Sequence, residues 1–367
     1  MAKTLVLAGA GHAHMTILAN IEEIRKKGHQ VLVVGPSPHH YYSGMGPGML
    51  GGAYEPDDIR FPVKDMVESS DGVFLQDQVA RIDPRKKNLL LKSGERVDYD
   101  VVTFNTGSYV PSVAEEQSHN VFTVKPIENL SLGRDRILDL SRDRQVRIGV
   151  VGGGPAGLEV AGNSWAASHE NNGKGASIRV YAGSRFMKDQ PDGVRSTALK
   201  EYAKRSIDII EGVYVRKVDT GRVHLENGQS VEEDLIFLCL GVRPYPLFEP
   251  SGIPAGPDGG LLVNKYLQSP EFPDIFGGGD CIYFSEEPLD KVGVYAVREH
   301  PVLYNNVVAR LEERELQPFG PGGGYLLIFN LGGNKGILHR KGVVFNGRAA
   351  FQIKDYIDRK FMRTFKP

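Results

Sequence analysis

Two glycine-rich runs are the first residues whose types and spacing suggest chemistry: Gly9-Ala10-Gly11-His12-Ala13-His14 and Gly152-Gly153-Gly154-Pro155-Ala156-Gly157. Each follows a short apolar run and precedes a stretch with helical spacing. A strand that turns through glycine into a helix leaves free N–H groups and the positive end of the helix dipole at the turn. Such a turn binds a diphosphate, and glycine lets the backbone approach it closely. The candidate binding residues are Gly9, Gly11, His12 and Ala13 in the first run, and Gly152, Gly154, Pro155, Ala156 and Gly157 in the second. The second run is a complete GxGxxG. The first has His14 at the third glycine position, where the helix packs on the sheet, so wider packing is expected rather than loss of the site.

In neither copy does the next strand end in the acid that usually holds ribose hydroxyls. The first ends Val34-Gly35-Pro36-Ser37, which leaves Ser37 or backbone groups to substitute. The second ends Tyr181-Ala182-Gly183-Ser184-Arg185. Ser184 and Arg185 there suit a 2′-phosphate, because arginine presents a planar fork to phosphate oxygens; a surface arginine is the plainer alternative. His12, His14, His39 and His40 cluster, but two of them lie in the phosphate turn, so no metal site is expected. The two cysteines, Cys239 and Cys281, form no CxxC and are too few for a zinc or iron–sulfur site. They fit a reducing, cytoplasmic compartment.

The elements that must position these groups repeat. A strand at 3–8, the glycine turn, a helical pattern (Met15, Ile17, Leu18, Ile21, Ile24) and a strand at 30–34 make a βαβ opening. A strand at 147–151, a helix at 158–167 and a strand at 177–182 repeat it. Aligning Gly107 with Gly241 also pairs Gly94 with Gly228, Val97 with Val231 and Asp100 with Asp234. Each copy thus has a hairpin and then a buried strand ending in glycine, a repeat that is a fold-level signal. The chain continues through Gly277-Gly278-Gly279-Asp280, a helix at about 294–311, a hairpin of 325–331 with 336–345, and a final helix at 347–365.

The formal net charge of −1 gives no electrostatic reason to expect nucleic acid. No apolar stretch is long enough to span a bilayer, and the N-terminal apolar run reads as a first strand rather than a signal peptide. From His339 onward there are eight basic residues against Asp355 and Asp358, so that segment is +6. Ala350, Ile353, Ile357 and Phe361 have spacings that share a helix face. An apolar stripe beside basic residues is how a helix lies on an anionic lipid surface; packing on the protein body is the alternative.

The chain resembles the flavoproteins with two dinucleotide-binding domains. The resemblance rests on Gly9-Ala10-Gly11, Asn105-Thr106-Gly107, Gly152 to Ala161, Leu240-Gly241-Val242-Arg243-Pro244 and Gly279-Asp280. It is nearest to the branch of type II NADH:quinone reductase and sulfide:quinone reductase. Tyr42-Ser43-Gly44-Met45 and the segment from Lys354 to Met362 are also similar to the flavoprotein part fused to selenide, water dikinase. The resemblance implies an α/β chain of two nested Rossmann-like dinucleotide-binding domains, a glutathione-reductase-like FAD/NAD(P) fold, with a small C-terminal β-hairpin and helix region. The expected divisions are 1–110 and 245–312 for the FAD domain, 111–244 for the NAD(P) domain and 313–367 for a C-terminal membrane or dimer contact.

It further implies FAD on the first turn and NADH or NADPH on the second. Asn105, Thr106, Gly107, Gly241 and Gly279 would lie along the cofactors. Asp280 would accept from the ribityl hydroxyls, and Tyr42 would sit in a loop lining the flavin. A helix beginning near Val294 and Tyr295 would point at the flavin pyrimidine edge. Glu159, expected on the first helical turn, would relay a proton, and Lys125 would contact the flavin. The implied function is electron transfer from NAD(P)H through flavin directly to a quinone, in the cytoplasm or peripherally on the inner face of the cell membrane. The alternatives are a sulfide or sulfur-compound:quinone reductase, a ferredoxin-type reductase, and a flavin redox sensor acting through partner binding.

Overall fold

The computed structural model describes residues 2–114 and 119–366. The first glycine turn grows out of a five-stranded parallel sheet. Its order is Ile275–Gly277, Val101–Phe104, Thr4–Ala8, Gln30–Gly35 and Val73–Gln76. The second turn grows out of another five-stranded parallel sheet, ordered Val121–Thr123, Leu235–Leu238, Val146–Val151, Ala176–Tyr181 and Ile207–Ile210. Both central strands read as continuous apolar runs because both of their faces are covered: Leu5 to Ala8 and Ile148 to Val151 are buried. The chain leaves the first sheet at Phe104, builds the second, and returns to the first at Ile275, so the domains are nested.

The internal repeat extends to individual hydrogen bonds. Asp100 accepts the Thr4 amide at 2.7 Å, and Asp234 accepts the Arg147 amide at 2.9 Å. Asn105 N–H donates to Ala8 at 2.8 Å, and Cys239 N–H to Val151 at 2.7 Å. Just beyond the two strand ends the copies pair with each other, Ser108 with Pro244 and Tyr109 with Arg243, antiparallel.

Two expected elements differ. The hairpin of each copy is a three-stranded meander: Val79–Asp83, Asn88–Leu91 and Arg96–Asp98 in the first, Val215–Asp219, Arg222–Leu225 and Ser230–Glu232 in the second. The 336–345 run is two strands, Gly336–Arg340 and Val343–Gly347. Lys341 and Gly342 both take positive φ, 48° and 82°, the condition for a tight two-residue reversal.

The last helix, Arg348–Phe365, packs against this C-terminal sheet. It does not present the expected stripe on one side. Ala350 is buried and Phe361 half-buried, whereas Ile353 and Ile357 are exposed beside Tyr356 at 63%. Both sides of the helix carry apolar residues, so spacing alone did not separate the inner side (Ala350, Phe351, Asp358, Met362) from the outer. Among the described residues, no helix is long and apolar enough to cross a membrane.

Candidate active site

Glycine is required in both turns by what lies against it. A Cβ on Gly9 would stand 2.3 Å from the Asn105 carbonyl oxygen, and one on Gly152 would stand 2.2 Å from that of Cys239, its repeat equivalent. A Cβ on Gly157 would lie 1.9 Å from the Gly152 oxygen. At Gly107, Gly154 and Gly241 an added Cβ would meet nothing within 4 Å, so these positions border open space. The helix Pro155–Ser168 starts at a Gly154 N-cap with no side-chain cap, leaving first-turn amides for an anion.

The first turn is clipped from behind by Asn105. Its Oδ1 accepts the Ala13 amide at 3.0 Å, and its Nδ2 donates to the Gly278 carbonyl at 2.6 Å. Ala13 therefore has its amide engaged and is fully buried. His14 is a satisfied core residue: Nδ1 donates to the Gly9 carbonyl at 2.7 Å and Nε2 accepts from Thr103 at 3.0 Å. Burial pushes it down to about 4. His12 differs, since its Nε2 is buried without a partner among the described residues. Its ring touches His40, Tyr42 and Phe361. An orphaned buried ring nitrogen in this turn, with Gly107 bordering open space at the end of the same domain's strand, fits a turn built to hold a further group.

Asp280 lies behind that turn. Its Oδ2 accepts from Lys125 and from Ser108, each at 2.6 Å. Burial alone would raise its carboxyl, but the Lys125 ammonium and the two hydrogen bonds outweigh that and hold it low. Gly279 donates its amide to Glu299, whose carboxyl burial pushes up to about 7. The helix carrying Glu299, Gly293–Leu311, packs against both glycine segments, His12–His14 and Gly279–Cys281. Val294 and Tyr295 are in its first turn, half-buried.

Glu159 is in the second turn of its helix, not the first, because the helix begins at Pro155. That distance from the N-terminus weakens any interaction of its carboxylate with the helix dipole. Its Oε1 accepts the Asn330 amide at 2.7 Å. Burial pushes its carboxyl up to about 7, against the opposing pull of Lys354 and the Asn330 amide. Lys354 donates to Asp358 and to the Gly44 carbonyl, both at 2.7 Å, and Tyr42 donates to Asp358 at 3.2 Å. The C-terminal helix thus brings a charged pair to the helix after the second glycine turn.

The remaining candidates lie at the edges. Ser37 closes its own turn by accepting the His39 amide at 3.2 Å. Ser184 and Arg185 are exposed, and Arg185 donates to Asp192 at 2.7 Å. Thr106 is half-buried at the end of the first copy. Both cysteines are free and buried, and burial raises both thiols, that of Cys281 to about 11. Sequence reasoning missed Ser108, Glu299, Asn330, Lys354 and Asp358. Of these, only Lys354 and Asp358 carry a local signal, their i,i+4 spacing on one helix.

Two nested dinucleotide-type domains with glycine turns at their cores define a class of nucleotide-dependent oxidoreductase. The pyridine nucleotide-disulphide oxidoreductase family matches residues 3–306, and the chain belongs to that family. Its cofactors are FAD and NAD(P)H. A nitrite reductase [NAD(P)H] of Bacillus subtilis is 27% identical over 289 residues, 76% of this chain; the chain spans only 34% of that relative's length. Among solved structures, the sulfide:quinone oxidoreductase of Aquifex aeolicus has a TM-score of 0.78 at 17% identity, covering 100% of this chain and 92% of the other. The NDH2 of Plasmodium falciparum in complex with NADH has a TM-score of 0.77 at 14% identity, covering 100% and 99%. These two likenesses are of fold.

Proposed function

We propose that this chain passes electrons from NAD(P)H through FAD directly to a quinone-class acceptor, without a cysteine relay. When bound, FAD supplies the hydride acceptor and the electron outlet. The turn at Gly9, Gly11 and His12 is assigned to its diphosphate, with Asp280, held ionised by Lys125, for its hydroxyls. The turn from Gly152 to Gly157 takes the nicotinamide dinucleotide, with Ser184 and Arg185 at its ribose end.

The observation that carries the reading is Glu159. Reduction of a quinone takes two electrons and two protons, and a hydride brings both electrons and one proton. The second proton needs a donor poised near neutrality. Glu159 has a carboxyl pushed up to about 7, with Oε1 occupied by Asn330 and Oε2 left to carry the proton. Both cysteines, in contrast, are buried with raised thiols, the opposite of a reactive thiolate. The likeness to the Aquifex sulfide:quinone oxidoreductase supports the quinone, while the buried thiols weigh against sulfide as donor.

The outer side of the last helix supports a lipid-dissolved acceptor. Ile353, Tyr356 and Ile357 are exposed there, with Val343 and Phe345 exposed on the adjoining strand and Lys360 and Arg363 among them. Apolar side chains between basic ones suit an anionic membrane surface. The test is steady-state turnover with a water-soluble quinone. Glu159→Gln should lower kcat by at least tenfold while NAD(P)H still bleaches the flavin. Unchanged turnover in that variant contradicts the reading.

A further inference from the structure

The meander of the first domain has an outer side that its repeat counterpart lacks. Strand register places Arg81 opposite Leu90 and Leu90 opposite Arg96, so two arginines flank one leucine across three strands. Opposite charges normally face each other at such positions, and like charges nearby are unfavourable. The equivalent row of the second domain is Lys217, His224 and Ser230. There Lys217 is engaged, His224 bonds Asp219 at 2.6 Å and Ser230 at 2.7 Å, and the adjoining Arg222 pairs with Glu232 at 3.0 Å.

In the first domain the charges stay open around a cavity of about 530 Å³, bounded on its other side by Ser251 and Glu271. Arg81, Arg85 and Arg96 all line it, and none is paired with a carboxylate among the described residues. Asn88, 8% exposed, lines it too. Its Oδ1 accepts from Arg96 at 3.3 Å, and its Nδ2 has no acceptor among the described residues. An amide donor open to the cavity, beside three guanidinium groups that no carboxylate engages, offers an anion several donors at once. The cavity falls within the size range of small-molecule sites.

We propose that this cavity binds a small polyanionic metabolite carrying phosphate or carboxylate groups, outside both glycine turns. None of the residues lining the cavity belongs to either glycine turn, so the site is distinct from the nucleotide sites proposed above. Arg81 and Arg96 grip the anion from two strands, Arg85 closes one end, and Asn88 Nδ2 donates from the floor. Glu271 and Asp83, which also line the cavity, oppose binding and set its strength.

Isothermal titration of the FAD-loaded protein at saturating NAD+ and fixed ionic strength tests this, with pyrophosphate and citrate as probes. One saturable site is expected for at least one probe, and the tighter probe names the anion class. An Arg81→Ala, Arg96→Ala double variant should lose at least tenfold in affinity, Arg222→Ala should lose none, and Glu271→Gln should bind several-fold tighter. The three substituted positions on the meanders are exposed, so the fold should persist. No saturable binding of either probe overturns the proposal, as does equal binding by the double variant.

Discussion

Lys125 reaches Asp280 across 155 residues of sequence and donates to its Oδ2 at 2.6 Å. The two side chains are 24% and 15% exposed, so the pair is shielded from most solvent screening. It ties the start of the second domain to the returning strand of the first, behind the glycine turn.

Breaking that pair from either side should be costly. Removing one partner of a buried ion pair strands the other charge, at about 3 kcal/mol. Asp280→Ala should lower the FAD content of the purified protein, and Lys125→Met should lower its thermal midpoint by several degrees. Full flavin occupancy in Asp280→Ala, read from the ratio of flavin to protein absorbance, would remove Asp280 from the cofactor site.

The proton-donor role proposed for Glu159 implies a pH profile for turnover. Its folded carboxyl is raised to about 7, so the protonated donor is present below that pH and lost above it. Turnover with quinone should therefore fall as pH rises through about 7, and this limb should vanish in Glu159→Gln. The same shift has a stability consequence. A raised carboxylate favours the folded state fully below its unfolded value near 4.5, and the benefit is lost as pH rises through about 7. The stability of the wild type relative to Glu159→Gln should decline across that window. A flat difference between pH 4.5 and 7.5 would place the carboxyl at an ordinary value.

The proposed recognition of a 2′-phosphate rests on Arg185, which is exposed and paired with Asp192 at 2.7 Å. A 2′-phosphate must compete with that carboxylate. Arg185→Ala should raise KM for NADPH more than for NADH, and Asp192→Ala should lower KM for NADPH. Equal effects of both substitutions on the two donors would leave Arg185 a bystander.

Membrane binding can be tested without disturbing the interior. Truncation would remove Lys354, Asp358 and Phe361 from the site, so the outer side alone is changed. An Ile353→Ser, Tyr356→Ser, Ile357→Ser variant should keep its flavin and lose flotation with anionic liposomes at low salt, where surface attraction is strongest. Flotation equal to that of the wild type would assign the +6 charge of the C-terminal segment to ordinary solvation.

The repeat was legible because each element of it is local. A glycine with no room for a Cβ, an aspartate that accepts a strand amide, and an apolar strand covered on both faces all leave marks at fixed spacing. Asn105 was legible as part of the repeat but not as the clip between Ala13 and Gly278, which requires knowing that the chain returns 173 residues later. Lys354 and Asp358 were invisible as site residues for the same reason. They meet Glu159 only through packing of the last helix, and periodicity assigned that helix one apolar side where the fold uses two.

The central claim is that electrons leave the flavin directly, and rapid mixing tests it most plainly. A Cys239→Ser, Cys281→Ser double variant is mixed with NADH or NADPH, then with a water-soluble quinone, while flavin absorbance is followed. Bleaching by at least one donor and reoxidation by quinone should proceed within about threefold of the wild-type rates, because neither buried thiol can supply a thiolate relay. A double variant that folds, holds FAD and bleaches, yet is no longer reoxidised by quinone, would contradict that claim.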